Sequence, residues 1–130
     1  MLKPTVMFLA SAVDAAVIES LSESGFDVST ESQSAIGFER SLTSRPDLFV
    51  IDLADPDEAI AIIQRIRSAP ELKQTLVLAI AEWGTGVATL ALSNGADAFE
   101  PKPIKAAKLI AAVEKLLRPN LVMTAGVSED

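Results

Sequence analysis

Neither cysteine nor histidine occurs among the 130 residues. The first absence removes disulfides, thiol nucleophiles and thiolate metal sites, and the second removes the commonest general base and the commonest metal ligand. Most enzyme mechanisms are excluded with them. What chemistry remains rests on carboxylates, hydroxyls and Lys102. Cations are scarce too: 11 Lys and Arg face 18 Asp and Glu, for a net charge of −7. With no basic run, nucleic acid and membrane surfaces are poor direct partners, and protein partners are favoured. No apolar stretch reaches the roughly 20 residues that cross a bilayer, and the first residues lack the pattern of a secretory leader. The expected location is the cytoplasm. Neither an internal repeat nor a low-complexity segment is found.

Against these absences, 49% of the residues are hydrophobic, enough to fill the core of one domain. The chain is organised around residues 46–56, where Leu48, Phe49, Val50 and Ile51 lie between two prolines and deliver one carboxylate, Asp52, to their far end. That run is too short for a helix and rich in strand formers. A continuous apolar strand marks a parallel sheet covered by helices on both faces. Ligands of such sheets sit beyond the carboxyl ends of the strands, where Asp52 falls.

Residues 5–9 predict the first strand, which gives way to the small residues Ala10, Ser11 and Ala12. Asp14 is a natural N-cap for a helix over 15–21 with Val17, Ile18 and Leu21 on one face and Gly25 as its stop. A half-polar strand over 26–30 is expected near a sheet edge, followed by a helix over 34–44 with Ile36 and Leu42 inward. Pro56 opens a helix in which Ala59, Ile62, Ile63 and Ile66 recur at helical spacing. Asp55, Asp57 and Glu58 suit its positive end, and they read as a helix start rather than a metal site. Residues 76–81 form another apolar strand, and a small-residue helix over 85–93 ends at Asn94 and Gly95. A short strand over 98–100 and the Pro101-Lys102-Pro103 triplet precede a last helix over 105–117, burying Leu109, Ile110, Val113, Leu116 and Leu117. Five strands alternating with five helices predict an α/β, flavodoxin-like fold with a parallel sheet in the order 2-1-3-4-5. The domain is expected to span 1–118, with 119–130 a C-terminal tail or the start of a linker.

Over about residues 3–118 this order, with two spacings, resembles the receiver domain of bacterial response regulators. In that family a histidine kinase passes a phosphoryl group to an aspartate at the end of strand three, a position matched by Asp52. Pro56, four residues on, also matches. The stretch 91–103 is similar to the family's passage from helix four into strand five. It puts Lys102 at the phosphate-contacting lysine, Pro103 at the proline whose preceding bond is usually cis, and Phe99 at the aromatic switch position.

The departures are as informative. Where the family holds Mg²⁺ with a pair of acidic residues after strand one, this chain has Ala10 and Ser11. One carboxylate with carbonyls and water is a weak magnesium site. Asp14 is the nearest substitute, although its N-cap reading is favoured. The switch Ser or Thr at the end of strand four is replaced by Ala81, and the usually small next residue by Glu82. Pointing inward, Glu82 would repel a phosphoryl group and pair with Lys102; pointing outward, it is a surface residue. Phe99 is either a switch rotamer or a plain core aromatic, and Trp83 either an exposed partner site or a ring folded over its loop.

The resemblance therefore implies an atypical receiver in two-component phosphorelay signalling that is not an enzyme. It would work as a phosphorylation-independent protein-interaction module, with Asp52 and Lys102 as a structural ion pair and no cofactor. The alternative is a phosphoryl-accepting receiver that uses Asp52 with Mg²⁺. Expected partners are a histidine kinase, a phosphotransfer protein or an output protein, with a homodimer through the face of helix four, strand five and helix five. A flavodoxin-like cofactor binder is the rival from another class, but no glycine-rich phosphate loop follows strand one.

Overall fold

Pro46 and Pro56 bracket the element on which the others are laid. Between them, β3 (Leu48–Asp52) runs through the middle of the molecule, and Leu48, Phe49, Val50 and Ile51 are all buried. The computed structural model describes residues 3–82 and 86–118. Within them the other elements are β1 (Thr5–Ala10), α1 (Ala15–Glu23), β2 (Asp27–Glu31), α2 (Ser34–Ser44), α3 (Pro56–Ser68), β4 (Leu76–Glu82), α4 (Val87–Ser93), β5 (Ala98–Lys102) and α5 (Ala106–Leu117), with a 3₁₀ turn at Pro70–Leu72. The sheet order is β2-β1-β3-β4-β5, and every pairing is parallel. This is the expected order, with the three most apolar strands at the centre.

Although the central runs are continuous in sequence, successive side chains go to opposite faces of the sheet. Met7, Leu9, Phe49, Ile51, Val77 and Ala79 face a core completed by Phe38 of α2, by Ala59, Ile62, Ile63 and Ile66 of α3, and by Ala91 of α4. Val6, Phe8, Leu48, Val50, Leu78 and Ile80 face the other core, closed by Val17 and Leu21 of α1 and by Leu109 and Val113 of α5. Full burial of each large aliphatic side chain contributes about 1.5–3 kcal/mol. Two such layers hold the strand ends rigidly.

Local chemistry sets the helix ends. Asp14 caps α1 by accepting a hydrogen bond from Ala16 N at 2.9 Å, and Gly25, at φ +95°, ends it. Asp55 caps α3 in the same way through Asp57 N, and Glu58 accepts from Ser34 Oγ of α2. The acidic trio thus starts a helix, as expected. Of the α5 residues expected inside, Leu109 and Val113 are buried, while Ile110, Leu116 and Leu117 are half-buried against the same core. Another expectation fails outright. Ile36 is 44% exposed, and α2 instead buries Gly37, Phe38 and Ser41. Ile36 and Leu42 are six residues apart, which places them about 120° apart around a helix. Gly37 leads the inward face because a Cβ there would run into Leu9 Cδ2. Smaller differences are that β2 begins at Asp27 rather than Phe26 and that β5 continues through Pro101 to Lys102. The fourth helix begins at Val87, after Gly86, and Trp83, Thr85 and the tail 119–130 lie outside the described residues.

Candidate functional site

The carboxyl ends of β1, β3, β4 and β5 lie side by side, so sheet register decides which side chains meet. Ala10 pairs with Asp52, Ala81 with Pro101, and Glu82 with Lys102. Asp52 and Lys102 come from strands separated by β4, whose small Ala81 leaves the space between them open. Lys102 Nζ reaches Asp52 Oδ1 at 2.6 Å. Both side chains are roughly two-thirds buried, at 29% exposure for Asp52 and 32% for Lys102. Oδ1 is closed off from solvent and receives no well-aligned hydrogen bond. The contact is ionic, with the ammonium charge compensating the buried oxygen. Such a partly exposed pair contributes about 1 kcal/mol. Its larger effect is to hold the lysine over β4 in one position.

The remaining expected site residues fall around this pair. Ala10 is buried and apolar, 5% exposed, and Ser11 lies in the bend just beyond it. Asp14 is engaged as the cap of α1. The described residues contain no group of three His, Cys, Asp or Glu able to hold a metal ion. Magnesium demands near-octahedral oxygen ligands, and a single carboxylate already held by a lysine does not fit that need. Ala81 supplies no hydroxyl at the end of β4. Glu82 is exposed and lies in register with Lys102, while the ammonium sits on Asp52. Phe99 is half-buried, opposite Ala79, and packs against the α3-side core. The Lys102–Pro103 bond is cis.

Some features carry no sequence motif. Arg67 of α3 donates to Gly95 O, Thr75 O and Asp97 Oδ2, and Asp97 in turn accepts from Val77 N. This latch ties the far end of α3 to both turns that feed β4 and β5. Arg118 stacks on Phe26 at 4.2 Å and donates to Ser24 O, fastening the end of α5 to the turn after α1. On the α4 side, Leu90 and Leu92 are 53% and 48% exposed. Every residue of the neighbouring β5 is only half-buried, and Lys108 of α5 reaches Glu100 of β5 at 3.8 Å.

No protein-family model matches the chain. Among curated proteins it is 36% identical over 77 residues to the virulence transcriptional regulatory protein PhoP of Salmonella typhimurium, a match that covers 58% of this chain and 34% of that protein. The matched stretch is about a third of that relative's length. Among solved structures, a response regulator from Thermotoga maritima is 25% identical with a TM-score of 0.79, covering 89% of this chain and 98% of the other. The chemotaxis response regulator CheY4 of Vibrio cholerae, at 17% identity, has a TM-score of 0.79 and coverage of 88% and 99%, a likeness of fold.

Proposed function

Because the chain is a receiver domain of the response-regulator family, we propose that it serves two-component signalling as an atypical receiver, a protein-interaction module that works without phosphorylation. The observation that carries this reading is the Asp52–Lys102 contact at 2.6 Å in a site with Ala10, Ser11 and Ala81 at the three supporting positions. A phosphoryl group in transfer spreads negative charge over its oxygens, and catalysis consists of positioning and neutralising that charge. Here the acidic pair that would hold a metal and the hydroxyl that would meet the phosphoryl oxygen are both absent. Loss of one such contact costs on the order of 10²-fold in rate. The lysine, meanwhile, already has an anion. The pair thus fills with fixed charges the place that a phosphoryl group and metal would take, and it favours one conformation.

The surface offered to partners is the face of α4, β5 and α5. Leu90 and Leu92 of α4 are exposed large hydrophobic residues, which is what a protein contact buries first. The partner is a histidine kinase, a phosphotransfer protein, an output protein or a second copy of the chain. The excess of acidic residues speaks against nucleic acid as a direct partner of this segment. No helix among the described residues is long and apolar enough to cross a membrane, in keeping with a cytoplasmic site of action. The second reading, a receiver that accepts a phosphoryl group on Asp52, is favoured by the 29% exposure of that side chain with Lys102 in place beside it.

Thermal unfolding with increasing Mg²⁺ separates the two. The native chain is expected to show no saturable rise in Tm, whereas Ala10→Asp/Ser11→Asp, which restores two carboxylates beside Asp52, is expected to gain one. A saturable rise in the native chain that disappears in Asp52→Asn would favour the second reading.

A further inference from the structure

Between α3, α4 and the ends of β3 and β4 lies a cavity of about 210 Å³. Its inner wall is apolar, formed among others by Ile51, Ala59, Ile63, Ala81, Val87 and Ala91. Three of these are alanines, and each leaves unfilled the room that a larger core side chain would take. The cavity reaches solvent past Ala54 and Glu82, both exposed. Lys102 is on its wall with the ammonium turned to Asp52.

We propose that this cavity binds one small uncharged ring molecule, of phenol or indole size, with its ring among the alanines and its polar edge toward the mouth. The volume supports the size, since an apolar protein cavity of about 150 Å³ already takes up benzene. The lining supports the class, because a mostly apolar wall gives a ring its dispersion contacts and the Lys102 ammonium on it is already engaged by Asp52. An anion is disfavoured there, because it would give up its hydration against an apolar wall while the Lys102 ammonium is already engaged by Asp52. Bound there, the ring packs against Val87 and Ala91, the buried residues of the helix that also carries the exposed Leu90 and Leu92.

Titration of the whole chain with phenol, indole and benzoate, followed through the methyl resonances of Ile51, Ile63 and Val87, tests this. Phenol and indole are expected to shift those methyls saturably, with Kd on the order of 1 mM for so few atoms, and benzoate to bind at least tenfold more weakly. Ala81→Leu fills the cavity and is expected to abolish the shifts while the backbone spectrum stays dispersed. Should Ala81→Leu fail to fold, Ala54→Leu, which narrows the mouth at an exposed position, is expected to weaken binding at least tenfold. The proposal is overturned if neither neutral ring binds saturably, if the shifts map away from these methyls, if benzoate binds as well as phenol, or if the folded variants bind like the native chain.

Discussion

Lys102 is the residue on which the site turns, because it compensates an oxygen that water does not reach. Removing one partner of such a contact costs more than the contact itself contributes, since the remaining charge stays partly buried. Lys102→Met is expected to destabilise the fold by about 1–2 kcal/mol, and adding Asp52→Asn to recover part of that loss, as read by urea denaturation. A double variant no more stable than Lys102→Met alone would mean that the two side chains do not compensate each other. Much of this was legible in the sequence, where the apolar run ending at Asp52 marks a strand end and the resemblance of residues 91–103 to the receiver family implies that Lys102 reaches the same site. The position of Glu82 was not. Strand alternation does not settle how a residue at the last position of a strand leaves the sheet, and the structure leaves it exposed in register with Lys102.

At the scale of elements, contacts between distant segments decide matters that periodicity misses. The helix over α2 carries few apolar residues, so its phase was poorly determined and Ile36 was expected inside. Gly37 settles the phase by letting α2 approach Leu9, a residue with no exposure. Gly37→Ala gains about 1 kcal/mol of helix propensity yet forces a methyl into that contact, where overpacking costs about 1–3 kcal/mol. The expected outcome is net destabilisation, with Leu9→Ala partly relieving it in the double variant. Arg67 is a second case, because no motif announces an arginine that donates to two carbonyls and a carboxylate. Each charge-assisted hydrogen bond is worth about 1.5 kcal/mol or more. Arg67→Ala is expected to lower stability by about 2–4 kcal/mol, also by urea denaturation. A loss under 1 kcal/mol would show the latch to be ornamental.

Over the whole molecule, strand order and core were readable because each level of the sequence agrees with the next: apolar runs, helix starts and glycine stops all predict one α/β topology. The expected helices and strands recur within a residue or two wherever the chain is described. The cavity between α3 and α4 was not readable, since alanines spread from Ala54 to Ala91 in sequence meet only in the fold. The same holds for the exposed Leu90 and Leu92, which a helix pattern alone does not assign to solvent. On the reading proposed above, the architecture retains the receiver's geometry while the groups that make phosphoryl transfer fast are missing from two strand ends, those of β1 and β4. The most direct test of that claim is the intact mass of the native chain after incubation with acetyl phosphate and Mg²⁺, beside Asp52→Asn and the restored variant Ala10→Asp/Ser11→Asp/Ala81→Thr. We expect no phosphoryl adduct on the native chain or on Asp52→Asn, and an adduct on the restored variant. An adduct on the native chain that Asp52→Asn lacks would contradict the account and make this receiver a phosphorylation switch.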